Sequence, residues 1–270
     1  MSRPNWQSIR AVVARDLTAV RRSKAIMLPM TLVPVMLLVV LPAGTAFAAR
    51  TQDASGVSDF LNRFPAGLTD PIVGLPQHEQ LIVLVNGFLI APLFLIVPLM
   101  VSAVLAADAF AGEKERRTLE SMLHLPISDR DLFIGKTLVA FLPAVAVSWL
   151  GFVCFAVVSN TLAWPVMHRL FVPTALWAIM IFWVAPGVAA LGLGVMVRVS
   201  ARANTTQEAN QLGAAVILPL IFLAVGQATG LLLVDVPVAL AIGAVVWLVA
   251  LLLIGRGIQR FTRDQLATRI

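Results

Sequence analysis

Glu113, Lys114, Glu115, Arg116, Arg117 and Glu120 fall within eight residues, the densest charge in the chain. At helical spacing Glu113 reaches Arg117 and Arg116 reaches Glu120. Each such i,i+4 pair contributes about 0.2–0.5 kcal/mol. Leu119, Met122 and Leu123 form an apolar ridge on another face. Pro126 stops the helix, and Ser128 and Asp129 can cap the next one. The chemistry this pattern supports is recognition, with ion pairs and a small apolar ridge offered to a soluble partner. A solvated connecting loop is the alternative, and the residues alone leave both open.

Catalytic patterns are missing from the sequence. His78, His124 and His168 are far apart, and none has a Glu and a second His at metalloprotease spacing. No Gly-x-Ser-x-Gly elbow occurs. Gly135-Lys136-Thr137 resembles the end of a phosphate-binding loop, but the required glycine five residues earlier is Arg130 and no strand precedes it. Lys136 is expected instead to snorkel to the membrane surface from the end of an apolar helix. No enzymatic activity, ATP site, cofactor or metal is expected in this chain. The single cysteine, Cys154, sits in an apolar run and reads as a small packed side chain.

The elements that carry these residues follow from composition. Hydrophobic residues make up 59% of the 270 and charged ones only 13%, against about a quarter in soluble domains. Mean hydropathy is +0.91. Six stretches lack Asp, Glu, Lys and Arg altogether: 25–49, 81–107, 137–167, 170–197, 209–234 and 236–255. The shortest has 20 residues, which at about 1.5 Å per residue covers a ~30 Å hydrocarbon core. The expected fold is an all-α integral membrane protein, one transmembrane domain over 1–270. Its spans are placed at 25–49, 81–107, 132–159, 170–197, 210–234 and 236–255. Pro34, Pro92, Pro98, Pro143, Pro186 and Pro219 lie inside stretches, where membrane helices tolerate kinks.

With the N-terminus in the cytoplasm, the inner segments hold 17 Lys and Arg and the outer ones only Arg50, Arg63 and Arg169. That bias places both termini in the cytoplasm. The charge of +6 is spent on orientation, and no continuous basic face for nucleic acid is present. A cleaved signal peptide ending at Ala46-Phe47-Ala48 is disfavoured by the length of the basic region and of the apolar run. Trp6, Ile9, Val13, Leu17 and Val20 recur at helical spacing beside Arg10, Arg15, Arg21 and Arg22, which predicts an interfacial amphipathic helix over 1–24. In the outer loop, 50–80, Val57, Phe60, Leu61 and Phe64 suggest a short surface helix. No internal repeat is visible.

Charges at mid-bilayer cost about 2.5–3.5 kcal/mol each, a cost that ion-coupled carriers accept. The uncharged stretches therefore argue against a gradient-driven carrier. Polar residues in them are few. Asn86, Ser102, Ser148 and Gln227 are candidate pathway-lining residues, with packing between helices as the commoner role.

Ala111-Gly112-Glu113-Lys114-Glu115-Arg116-Arg117-Thr118-Leu119-Glu120, followed by Pro126-Ile127-Ser128 and Gly135-Lys136, resembles the signature of ABC type-2 permeases, the membrane subunits of a class of ABC exporters. Arg117 stands where glycine is common in that family, and Asp129 where a basic residue is common. The resemblance implies that 108–131 contains a cytoplasmic coupling helix resting in a groove of an ATPase subunit. Gly112, Glu113, Lys114, Arg116, Arg117, Thr118, Leu119 and Glu120 would make that coupling contact. It implies an ATP-driven exporter permease that pairs with a second copy or a homologous permease, with ATP and Mg held by separate ATPase subunits. It implies a multi-pass protein of the cell inner (plasma) membrane. A non-transporting membrane scaffold or assembly factor is the alternative.

Overall fold

The protein is described from a computed structural model covering residues 5–51, 72, 74–116, 127–203, 205–229 and 234–260. Among the described residues, six helices are long and apolar enough to cross a membrane: span one (Lys24–Ala49), span two (Glu79–Gly112), span three (Asp129–Met167), span four (Ala175–Ser200), span five (Thr206–Ala228) and span six (Val236–Ile258). No strand occurs among the described residues. An amphipathic helix, Trp6–Arg22, precedes span one, and the Asn5 side chain caps it by accepting from the backbone N–H groups of Gln7 and Ser8. The expected surface helix around 57–64 and the part of the charged segment from 117 to 126 lie outside the described residues.

Spans two and four are buried along most of their length, and spans one, three, five and six have few fully buried residues in their apolar stretches. The core therefore forms around the second and fourth spans. Phe94 of span two, Phe152 and Phe155 of span three and Trp177 of span four pack as one aromatic cluster, with Phe155 and Trp177 centroids 4.6 Å apart. Such pairs add about 0.5–1.5 kcal/mol beyond their buried area. Spans four and six interlock through two tryptophans. A Cβ on Gly243 would overlap the Trp183 ring, and one on Gly187 would meet Trp247 at 3.0 Å. The Trp183 indole N–H donates to the Leu240 carbonyl at 3.2 Å, and that of Trp247 donates to the Trp183 carbonyl at 3.0 Å. Small residues that let backbones approach are the usual means of packing membrane helices, because lipid supplies no hydrophobic drive between them.

Gly192 does the same between spans four and two. A Cβ there would lie 2.5 Å from the Ser102 hydroxyl and 3.0 Å from the Leu99 carbonyl oxygen, which cannot yield. Gly192→Val is expected to destabilise the bundle by about 1–3 kcal/mol through overpacking. Gly44, with nothing within 4 Å, provides the control. Thermal melts of the purified protein in detergent should fall for Gly192→Val and not for Gly44→Ala; equal melts would mean that spans two and four are not in contact here.

Two sequence expectations are corrected. Cys154 is exposed on span three, facing away from the bundle rather than packed within it. The amphipathic helix buries Ile9, Val12 and Val20, while Trp6 is 59% exposed. Of the expected stripe, Ile9 and Val20 are buried, Val13 and Leu17 are half-buried and only Trp6 is exposed; Val12 joins the inner face because span three receives it. Gly135 of span three allows that approach, its missing Cβ lying 3.0 Å from Val12 Cγ1.

Candidate functional site

The charged residues around 113 converge at the end of the bundle that carries the amphipathic helix. Span two continues through a π-helical turn, Asp108–Gly112, into Glu113–Glu115. A π turn replaces i→i−4 bonds by wider ones, and such turns often mark functional positions. Here it presents the Ala109 carbonyl to Lys136 of span three, whose ammonium donates to it at 2.6 Å. The same ammonium forms an ion pair with Glu113 and lies 5.8 Å from the Phe110 ring centroid. Lys136 is only 1% exposed, so it does not snorkel, as the sequence suggested. It faces inward and is enclosed by protein. The error arose because the buried partner, Glu113, is 23 residues away and invisible to local spacing.

Glu113 has a second partner, since Arg15 of the amphipathic helix donates to its other carboxylate oxygen at 3.2 Å. Arg15 also pairs with Asp16 at 2.8 Å. The three elements are thus joined by a Lys136–Glu113–Arg15–Asp16 chain. At the helix start, the Asn5 amide donates to Asp131 of span three at 3.4 Å, and the Ser128 side chain caps that span by accepting from Asp131. Arg116 pairs with Asp108, eight residues back, at 2.9 Å. The pairs expected from spacing, Glu113 with Arg117 and Arg116 with Glu120, each involve a residue outside the described set. Among the described residues, Glu113 meets Lys136 and Arg15 from other elements, and Arg116 meets Asp108 of the preceding π turn.

Glu115 faces a third direction. Its carboxylate accepts from the Thr206 amide at 2.9 Å and the Thr206 hydroxyl at 2.8 Å. Thr206 opens span five, whose cap Thr205 accepts from the Glu208 amide. The first amides of a helix have no partner within it and attract negative charge. The Thr206 amide, and then its hydroxyl, hold the Glu115 carboxyl below its usual range. A depressed carboxylate contributes its stabilisation above the unfolded-state pKa and loses it as pH falls through the folded value. Gly112 closes the contact: a Cβ there would meet Asp108 Oδ1 and Arg116 Nη2 at 2.9 Å and Thr206 Oγ1 at 3.2 Å. Of the proposed coupling residues, the structure gathers Gly112, Glu113 and Arg116 at this junction. Lys114 lies on the same helical turn, and Arg117, Thr118, Leu119 and Glu120 are outside the described residues.

The four polar span residues are not brought to one place. Asn86 and Gln227 share a junction at the other end of span two, on the π-helical turn Val83–Leu89. Thr45 of span one donates to Asn86 Oδ1 at 3.1 Å, Trp177 donates to the Asn86 carbonyl at 3.3 Å, and Gln227 donates to the Phe88 carbonyl at 2.9 Å. The wider turn frees carbonyls that spans four and five take up. Asn86 Nδ2 and Gln227 Oε1 stay buried without a hydrogen-bond partner among the described residues. Ser102 and Ser148 donate within their own helices, to the carbonyls of Leu99 and Ala144. Asn160, which sequence reasoning passed over, ties the 168–174 loop to span three by donating to the Val172 carbonyl and accepting from the Phe171 and Val172 amides.

A family model described as ABC-2 family transporter protein matches residues 10–240. No curated protein matches the chain.

Proposed function

The chain belongs to the ABC-2 family of transporter proteins, and on that premise we propose that it is the permease subunit of an ATP-driven exporter. It is a multi-pass membrane protein and a transport component. Two permease subunits, identical or homologous, form the pathway, and separate ATPase subunits hold ATP and Mg. The segment after Glu115 rests in the ATPase groove, with both termini on that cytoplasmic side of the inner membrane.

The observation that carries this reading is the base of the charged segment. Glu113 is fixed to span three and to the amphipathic helix, and Glu115 to span five. A loop with no mechanical duty has no need of attachment to three separate elements within three residues. Force applied beyond residue 116 would reach spans two, three and five through these contacts. Asn86 and Gln227 are the better candidates for polar contact with cargo, since each keeps one buried polar atom unengaged.

The chain, tagged and extracted in mild detergent, should co-purify with an ATPase subunit in equal number, and the complex should hydrolyse ATP in a vanadate-sensitive way. In sealed vesicles, Leu170→Cys in a Cys154→Ala background should react with an impermeant thiol reagent from outside and Ser8→Cys should not. A folded chain that purifies alone would return it to a scaffold, and the opposite labelling would invert the topology.

A further inference from the structure

A void of about 150 Å³ lies between spans two, four and five. It is walled by Ala103 of span two, by Gly192 and Met196 of span four, and by Gly213 and Ala214 of span five. Asn210 is the one polar side chain among the described residues that line it. Its origin is local. The two glycines and two alanines withhold volume where longer side chains would fill the space. Span five also narrows to a 3₁₀ turn over Ala214–Ile217, a tighter coil than the α-helix on either side. The Met196 side chain lies across Gly213, where a Cβ would overlap its sulfur. A thioether chain is flexible and polarisable, so this wall can adapt to what it meets.

The void also has a direction. Asn210 stands at the start of the uncharged run 209–234. Ile217, also in the lining, lies roughly 10–12 Å deeper along span five. The void therefore begins at the polar boundary of the bilayer and runs into the hydrocarbon half nearest the amphipathic helix. Ala214 is exposed, so the void opens on the outer face of the bundle at that depth. An empty space of this kind is unfavourable in a close-packed interior, and an apolar one stays dry. What surrounds a spanning helix there is hydrocarbon chain. We propose that the void is a binding site for one alkyl chain, of a membrane phospholipid or of an amphiphilic cargo. The chain enters at Ala214 and runs toward Ile217, with its polar head beside Asn210. The Asn210 amide can donate to an ester or phosphate oxygen of that head. Once occupied, the site joins spans two, four and five through dispersion contacts that the three helices do not make with one another there. It stands on the membrane-spanning fold and not on the permease reading.

The probe is a phosphatidylcholine with a photoreactive diazirine in its acyl chain. It is reconstituted with the full chain in nanodiscs, irradiated, and the labelled residues are mapped by mass spectrometry. Met196 is 1% exposed, so bulk lipid does not reach it, whereas Leu248 on span six is 60% exposed and reports bulk lipid. The wild type should be labelled at both. In Ala103→Leu the Met196 label should fall about tenfold relative to Leu248, because the added carbons displace about two methylenes of the ligand. Ala214→Leu adds volume at the exposed rim and should act in the same direction, which keeps the test decisive if Ala103→Leu fails to fold. Melting curves identify which variants are folded. Absence of label at Met196 while Leu248 is labelled overturns the site, as does undiminished Met196 label in a folded variant. Repeating the wild-type experiment on the complex with an ATPase separates the two sources of the chain. Met196 label that is unchanged by Mg-ATP marks a resident lipid, and label that falls during turnover marks a transported chain; either upholds the site. If no ATPase associates, the permease reading fails while the Met196 label still decides the site.

Discussion

Glu113→Gln should be the most damaging single substitution in the chain, lowering stability by about 3–5 kcal/mol, because it strands the Lys136 ammonium in a protein-enclosed site. Lys136 is 1% exposed and would keep the Ala109 carbonyl, the Phe110 ring and a neutral amide oxygen, with the Asp16 charge further off, but no anion in direct contact. The reciprocal change, Lys136→Met, should cost less. Glu113 would still have the Arg15 guanidinium, itself half in solvent and able to follow the carboxylate. Combining Glu113→Gln with Lys136→Met should recover most of the loss, since a buried pair replaced on both sides leaves no orphan charge. The measurement is the melting temperature of the purified permease in detergent. A drop on the order of 10 °C is expected for Glu113→Gln at this chain length. Equal losses for the two single variants would refute the asymmetry, and additive losses in the double variant would refute the pair.

The second large effect is expected on association rather than on stability. Glu120→Arg should abolish recovery of the ATPase subunit while leaving the melt unchanged. Like charges facing each other across an interface cost several kcal/mol, enough to weaken binding at least tenfold. An exposed intrahelical ion pair contributes only about 0–1 kcal/mol, so loss of a Glu120 pair within the segment would hardly register in the melt. Glu113→Arg, which spacing alone would nominate for the same test, is unsuitable because Glu113 is buried against Lys136 and its reversal would unfold the base. Normal ATPase recovery and normal transport in Glu120→Arg would return 117–126 to a solvated connection.

The spans were legible because the bilayer imposes one length and one composition on every crossing helix, and uncharged runs of 20 residues or more stand out without any knowledge of packing. The extra turns at their ends were not. Span three begins at Asp129 and span two ends at Gly112, beyond the uncharged runs, because charged residues there pair with one another. The site was half legible. The order of residues from Ala111 to Glu120 drew attention to the segment, but the partners of Glu113 and Glu115 come from elsewhere in the fold. A signal for Lys136 did exist. Phe133, Lys136 and Ala140 recur at i, i+3 and i+7, so the lysine shares a helical face with residues that prove to be buried. A cation on such a face requires a buried anion, but nothing in the sequence names which of the nearby acids supplies it. Asn160 was missed for a similar reason, as three of its four hydrogen bonds depend on a loop that folds back after the span ends.

The reciprocal tryptophans of spans four and six have a consequence for how the chain is made. Trp183 needs the Leu240 carbonyl as its acceptor, and Trp247 needs the carbonyl of Trp183 as its own. The two indoles are 64 residues apart in sequence, with span five between them. At ribosomal speeds that separation amounts to roughly 3–13 s of synthesis. During that interval span four enters the lipid with an indole N–H unanswered and its Gly187 face uncovered. A ribosome that stops after span five therefore leaves a partly finished bundle whose open seam a quality-control protease can recognise. Completion of the last helix is what closes it.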